Sequence, residues 1–289
     1  MSVNSDGCPW PQPLDHKDME WPSEEQRVLV PFREAANRTE ASLLGGSIAF
    51  GKDGKLYLPH TVEADATTDP DAIRNDAEAK LAVKQAFNVP VVQRREAFSP
   101  HILDSFVETH AITSVLVDTA EESFFAQGEA DETAGLDCHT LVGTRMDRFD
   151  SPETVLVPVD RGPHSGIATR VAEAVATAYG SRVELFHVIS EDATAQQRDD
   201  ATKLLDAYSY RIDNDIDVTY HVEHDAEPAR AIIERSERHD LTVLGAPEKG
   251  KLRRFLFGST ADSVVENGGT KPILVAHRNG TDSLLSRWF

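Results

Sequence analysis

The stretch from Gly245 to Thr260 gathers groups that bind anions. Gly258-Ser259-Thr260 stands where a helix should begin. Unpaired backbone N–H groups, two hydroxyls and the positive end of a helix dipole would therefore point outward together. Just ahead of it, Lys249, Lys251, Arg253 and Arg254 place four cations within six residues. The chain carries 49 acidic against 29 basic side chains, a net charge of −20, so this local reversal of sign marks an anion site, best matched by a phosphate chain. Gly245-x4-Gly250-Lys251 imitates a P-loop, but position 252 is Leu, and the hydroxyl that would hold Mg²⁺ is missing, so a Walker-type NTPase is rejected. A second candidate lies earlier. Pro158-Val159-Asp160 ends an apolar run, which puts the Asp160 carboxylate at the carboxyl end of a strand. There it suits ribose hydroxyls or an amine; capping of the following helix uses the same residue equally well, and both readings stand.

The elements that must position these groups come in two copies. Val28-Leu29-Val30-Pro31 recurs as Val155-Leu156-Val157-Pro158, an offset of 127. Lys55 to His60 falls on Arg182 to His187, and Val115-Leu116-Val117 on Thr242-Val243-Leu244, at the same offset. Beyond Asp118 the register shifts, so that Leu141-Val142 matches Leu274-Val275. Such self-similarity means a duplicated unit. The expected division is an acidic, Pro-rich arm over 1–26, a first domain over 27–150, a second over 151–278 and a tail over 279–289. In the second copy the apolar runs predict strands over 154–159, 182–188, 216–222, 241–245 and 272–277. Stripes at helical spacing lie between them: Ile167 to Ala178 stopped by Gly180, Leu204 to Ile212, and Ala229 to Ile233 opened at Pro228. Strands alternating with helices give an α/β fold of two tandem doubly wound five-stranded parallel sheets, Rossmann-like, with ligands expected beyond the strands' carboxyl ends.

At this point the second copy resembles an ATP-binding universal stress protein domain. That family has a strand ending Pro-x-Asp, a second strand ending His-Val and a Gly-x2-Gly-x9-Gly-[Ser/Thr] loop. Here these are Pro158-Val159-Asp160, His187-Val188 and Gly245-x2-Glu248-x9-Gly258-Ser259. The resemblance covers about 151–278 and, more weakly, 27–145. It implies that ATP, or AMP or ADP, binds with adenine against the backbone near Val188 and ribose at Asp160. The phosphates would lie at Gly245, Ala246, Gly258, Ser259 and Thr260, with Lys249, Lys251 and Arg254 alongside. Glu248 replaces the second glycine, so its carboxylate opposes phosphate or holds Mg²⁺ beside it. The first copy keeps the strands and loses this chemistry. Asp160 maps to Arg33 and Gly245 to Asp118, and the loop 118–137 holds seven acids and no Lys or Arg, so this copy is expected to be a structural or regulatory partner in an intramolecular pseudo-dimer.

Composition bounds the rest. A net charge of −20 argues against nucleic acid as the main partner. Nine Lys against twenty Arg in so acidic a chain resembles the composition of proteins from salt-loving organisms. No run approaches the roughly 18–20 apolar residues of a membrane span. Asp6, Asp15, Asp18, Glu20, Glu24 and Glu25, with no apolar core between them, exclude a secretory signal. Cys8 and Cys138 cannot make a disulfide framework, and a cytoplasmic location is expected. His221 and His224, three apart on a strand, face opposite sides and are not expected to hold a metal. His60 and His187 share a repeat position, which reads first as packing or hydrogen bonding. No general base or metal-holding pair is positioned, so no catalytic residue is assigned. The expectation is an adenine-nucleotide-binding stress or regulatory protein. The alternatives are a weak nucleotide hydrolase, or a ligand-free module acting on a partner such as a transporter. A homodimer of the whole chain also stays open.

Overall fold

The computed structural model describes residues 25–31, 38–51, 54–59, 70–94, 100–118, 138–246, 264–265 and 269–277. Two successions of strand and helix follow each other. The first runs β1 (Arg27–Leu29), α1 (Arg38–Phe50), β2 (Lys55–Pro59), α2 (Pro70–Phe87), β3 (Val91–Arg94), α3 (Pro100–His110), β4 (Ser114–Asp118) and β5 (His139–Thr144). A short 3₁₀ turn at Met146–Arg148 leads into the second. That one runs β6 (Thr154–Pro158), α4 (Pro163–Tyr179), β7 (Arg182–Ile189), α5 (Ala195–Ser209), β8 (Val218–His224), α6 (Pro228–Ser236), β9 (Leu241–Gly245) and β10 (Ile273–His277).

The strands β1, β6, β4 and β9 are almost wholly buried. Parallel strands covered by helices on both faces must be apolar on both, which is why these segments read as continuous Val/Leu runs rather than alternating ones. Helix α4 places Ile167, Ala168, Val171, Ala172 and Val175 on one buried stripe. Pro163 opens α4, where its missing N–H costs nothing, and Gly180 closes it in the left-handed region, with φ of 71°. Helices α1, α2, α4 and α5 cover one face of the sheet over a core that runs without a break through both halves. On the other face, α3 covers a smaller cluster around Leu103 and Phe106, and α6 covers another around Phe186 and Ile232.

The strand order is β3-β2-β1-β4-β5-β10-β9-β6-β7-β8. Each half is parallel throughout and follows the same 3-2-1-4-5 pattern. The halves meet at an antiparallel pair, β5 against β10, with Val142 opposite Val275. The two five-stranded sheets are therefore fused into one ten-stranded sheet around a pseudo-twofold axis, an intramolecular pseudo-dimer. In the second half the order reverses between β6 and β9, so the topological switch point lies beyond the ends of those two strands.

Two strands begin later than the spacing predicts, β10 by one residue and β8 by two. Ile216 is taken up in a turn, its N–H donating to the Asp213 carbonyl, so β8 starts at Val218 and runs to His224. The arm over 1–24, the tail from 278 and the acidic loop 119–137 lie outside the described residues.

Candidate functional site

At the switch point the end of β6 is held in place by its neighbours. The Val159 N–H donates to the Phe186 carbonyl at 2.8 Å, continuing the ladder one residue past the strand. The Asp160 N–H donates to Ser165 Oγ at 3.0 Å, and Tyr208 Oη donates to the Asp160 carbonyl at 3.0 Å. Ser165 stands in the first turn of α4 and Tyr208 in the last turn of α5, so both helices fix the Asp160 backbone. Its carboxylate is left exposed, with Oδ1 accepting the Arg161 N–H at 2.7 Å. The N-cap of α4 is Gly162, without a side-chain cap, so Asp160 does not serve as one. Asp160 thus stands exposed just past the end of β6 and is not the cap of α4.

Beside it opens a cleft of about 240 Å³ between the end of β7 and α5. Ile189, Ala201 and Leu204 form its apolar lining, and Arg161, His187, Ser190, Gln197 and Asp200 its polar lining. His187 Nδ1 lies 2.7 Å from the Val159 carbonyl oxygen. A carbonyl only accepts, so Nδ1 carries the proton and the ring is oriented by that bond. Val188 turns the other way, against the core under α6, and is not among the residues that line the cleft. Pro158 and Val159 are buried.

The end of β9 is the second wall of the switch point. A Cβ on Gly245 would lie 2.7 Å from the backbone carbon of His164 and the backbone nitrogen of Ser165. A side chain at this position is excluded by the first turn of α4. Ala246 is buried, its N–H donating to the Ala276 carbonyl at 2.8 Å. Next to them three buried imidazoles cross the seam between the halves: His164 on α4, His277 on β10 and His139 on β5. His164 and His277 stack with centroids 4.5 Å apart. Burial, and then the neighbouring His164 and His139, push His277 down to about 3. The remaining loop residues Glu248, Lys249, Lys251, Arg254, Gly258, Ser259 and Thr260 lie outside the described residues.

In the first half the position of Gly245 is taken by Asp118, buried at the end of β4. Among the described residues no group of three or more His, Cys, Asp or Glu could hold a metal ion, and no helix is long and apolar enough to cross a membrane. His221 lies flat against Phe186, at 5.9 Å between centroids, and meets Glu223 at 3.2 Å.

Residues 152–277 match the family model described as the universal stress protein family. The second half is thus similar to the universal stress protein family over those residues. Over most of the chain, solved structures share the fold. A universal stress protein from Archaeoglobus fulgidus DSM 4304 is 15% identical, with a TM-score of 0.59 over 89% of this chain and 100% of that one. A protein from Pseudomonas aeruginosa PAO1 described as functionally unknown is 15% identical, with a TM-score of 0.59 over 92% and 97%. The cytoplasmic domain of a prokaryotic cation chloride cotransporter is 11% identical, with a TM-score of 0.59 over 91% and 99%. These likenesses are of fold alone, and they take in both halves. No curated protein matches the chain.

The sequence reasoning did not assign the cleft wall supplied by α5. The signal was there: Gln197, Ala201 and Leu204 recur at helical spacing on one face, with Asp200 beside them.

Proposed function

We propose that the second half binds one adenine nucleotide per chain and that the protein works as a nucleotide-responsive regulator. The observation that carries this is the end of β6: two helices hold the Asp160 backbone so that its carboxylate stays exposed beside a cleft sized for a single heteroaromatic base. In this reading the cleft takes the base along the backbone of Val188, and Asp160 accepts from the ribose hydroxyls. Pro158 and Val159 set its position. Phosphates run toward Gly245 and Ala246 and onto the Gly258-Ser259-Thr260 helix start, with Lys249, Lys251 and Arg254 balancing their charge and Glu248 opposing it or sharing Mg²⁺. Nothing in these roles activates a water, so the function is binding. The buried Asp118 at the equivalent place in the first half supports a single site.

Calorimetric titration of the full chain with ATP, AMP and Mg-ATP tests this. One site per chain is expected, and Asp160→Ala should weaken ATP by roughly tenfold or more, as lost hydrogen bonds of about 1–3 kcal/mol imply. A stoichiometry near two would overturn the single-site reading, and turnover of ATP would make the chain a hydrolase. No binding of any nucleotide would leave a ligand-free module acting on a protein partner, with a transporter among the candidates.

A further inference from the structure

Strand β8 closes one end of the ten-stranded sheet, and among the described residues no strand pairs with its outer edge. Its pairing with β7 runs unbroken from Val218 opposite Val183 to His224 opposite Ile189, so no bulge turns the edge away. The Val183 N–H donates to the Asp217 carbonyl at 2.9 Å, and the Asp225 N–H to the Ile189 carbonyl at 3.0 Å. Odd-numbered residues therefore aim their backbone groups at β7, and the N–H and C=O groups of Val218, Tyr220 and Val222 point outward. His224 shares that direction, but its N–H already donates to Glu223 Oε1 at 3.2 Å. Side chains alternate too. Val218 and Val222 pack against the core under α4 and α5, and Tyr220 stands between them on the same face, 51% exposed. On the opposite face His221 lies flat on Phe186, with Glu223 beside it. Exposed edges are ordinarily guarded by Lys, Pro or a bulge, and β8 carries none of these.

Charge decides what can pair there. Asp213, Asp215 and Asp217 lead into β8, all exposed and none in an ion pair with a described residue. Glu223 stands within the strand, and Asp225 follows it, with Arg230 at 2.8 Å. A second β8 is a poor occupant. Antiparallel pairing about Tyr220 sets Asp217 opposite Glu223, and pairing about His221 sets Asp217 opposite Asp225; like charges directly opposite destabilise a sheet. We propose that the outer edge of β8 docks an extended basic segment of a partner protein, which adds to the sheet as a further strand. The outward backbone groups of Val218, Tyr220 and Val222 supply the main-chain hydrogen bonds, and alternate side chains supply the selectivity. Apolar residues of the segment lie beside Val218, Tyr220 and Val222, and Lys or Arg lie on the face that carries Asp217 and Glu223. This docking needs no nucleotide and does not rest on the nucleotide reading.

The test is fluorescence anisotropy of dye-labelled octapeptides titrated with the full chain. One peptide alternates Lys and Val, and another alternates Glu and Val. Two more are the Lys-Val peptide methylated on all its Val nitrogens or on all its Lys nitrogens. The Lys-Val peptide should bind at least about tenfold more tightly than the Glu-Val peptide, by a margin that shrinks with added salt. Only one edge of the peptide faces β8, so one methylated form should lose about tenfold and the other should bind like the parent. Tyr220→Pro deletes an N–H that β7 does not use, and it should weaken the Lys-Val peptide at least about tenfold in a folded protein. Circular dichroism and a thermal melt check the fold; if Tyr220→Pro does not fold, the methylated pair on the unmodified protein decides. No binding of the Lys-Val peptide, equal binding of the two methylated forms, or unchanged affinity in a folded Tyr220→Pro overturns the proposal. A dimer of the unmodified chain in sedimentation that Tyr220→Pro abolishes gives the edge to a second copy and overturns it as well. Binding of ATP, or its failure to bind, bears on none of these outcomes.

Discussion

A methyl group on Gly245 would press on the backbone of His164 and Ser165, and Ser165 is the residue that holds the Asp160 N–H. Gly245→Ala should therefore act twice. Pushing the first turn of α4 away costs on the order of 1–3 kcal/mol of stability and lowers the melting temperature by a few degrees. The same displacement loosens Asp160, so ATP affinity should fall with it. A thermal melt beside a calorimetric titration separates this from direct phosphate contact, because affinity lost at full stability would mean that Gly245 matters only as a close approach for the ligand. The carboxylate at Asp160 and the glycine at Gly245 were legible in the sequence from their places at the ends of apolar runs. The reason for each was not. The hydroxyls of Ser165 and Tyr208 that position Asp160 lie 5 and 48 residues away along the chain, and no local pattern ties them to it.

Helix α5 shows how an ordinary capping device shapes the site. Thr194 and Gln197 bond reciprocally at its start, satisfying two backbone N–H groups that would otherwise be unpaired. Thr194→Ala should cost about 1 kcal/mol of stability, because the hydroxyl that accepts the Gln197 N–H is lost while the backbone N–H of residue 194 still meets the Gln197 carboxamide oxygen. A thermal melt checks this; an unchanged melting temperature would show that the cap contributes nothing to the stability of α5. Most elements of the second half were readable because buried parallel strands leave unbroken apolar runs and because Gly180 and Pro228 punctuate the helices. Strand β3 follows Val91 and Val92 with Gln93 and Arg94, so no unbroken apolar run marks it, and the start of β8 was misplaced because the turn at Asp213 to Ile216 carries an apolar residue. The face of α5 that lines the cleft mixes Gln197 and Asp200 with Ala201 and Leu204, and its polar part resembles a solvated surface.

Across the whole molecule, the imidazoles at the seam tie stability to pH. His277 is held near 3 against its ordinary 6.5, so folding favours its neutral form. That contribution is complete above about pH 6.5 and is lost progressively as the pH falls toward 3, by up to a few kcal/mol, because the unfolded chain takes up the proton first. Chemical denaturation between pH 7 and 4 should show this decline, and His277→Leu should flatten it; a variant with the same acid limb would place the effect elsewhere. The joint between β5 and β10, for its part, had no signature in the sequence, since either strand taken alone reads as the outermost one of its own sheet. Its consequence concerns how such a chain can change over time. Where two identical copies of one unit assemble, every substitution appears on both sides, and neither binding site can be given up without losing the other. Once the units are covalently joined, the tether keeps each at high effective concentration for its mate, so association survives a poor interface. Each side then mutates alone. One lineage of substitutions can put a buried acid at Asp118 while the other retains Gly245, and the half without a glycine there still supplies the strand that closes its sister's sheet.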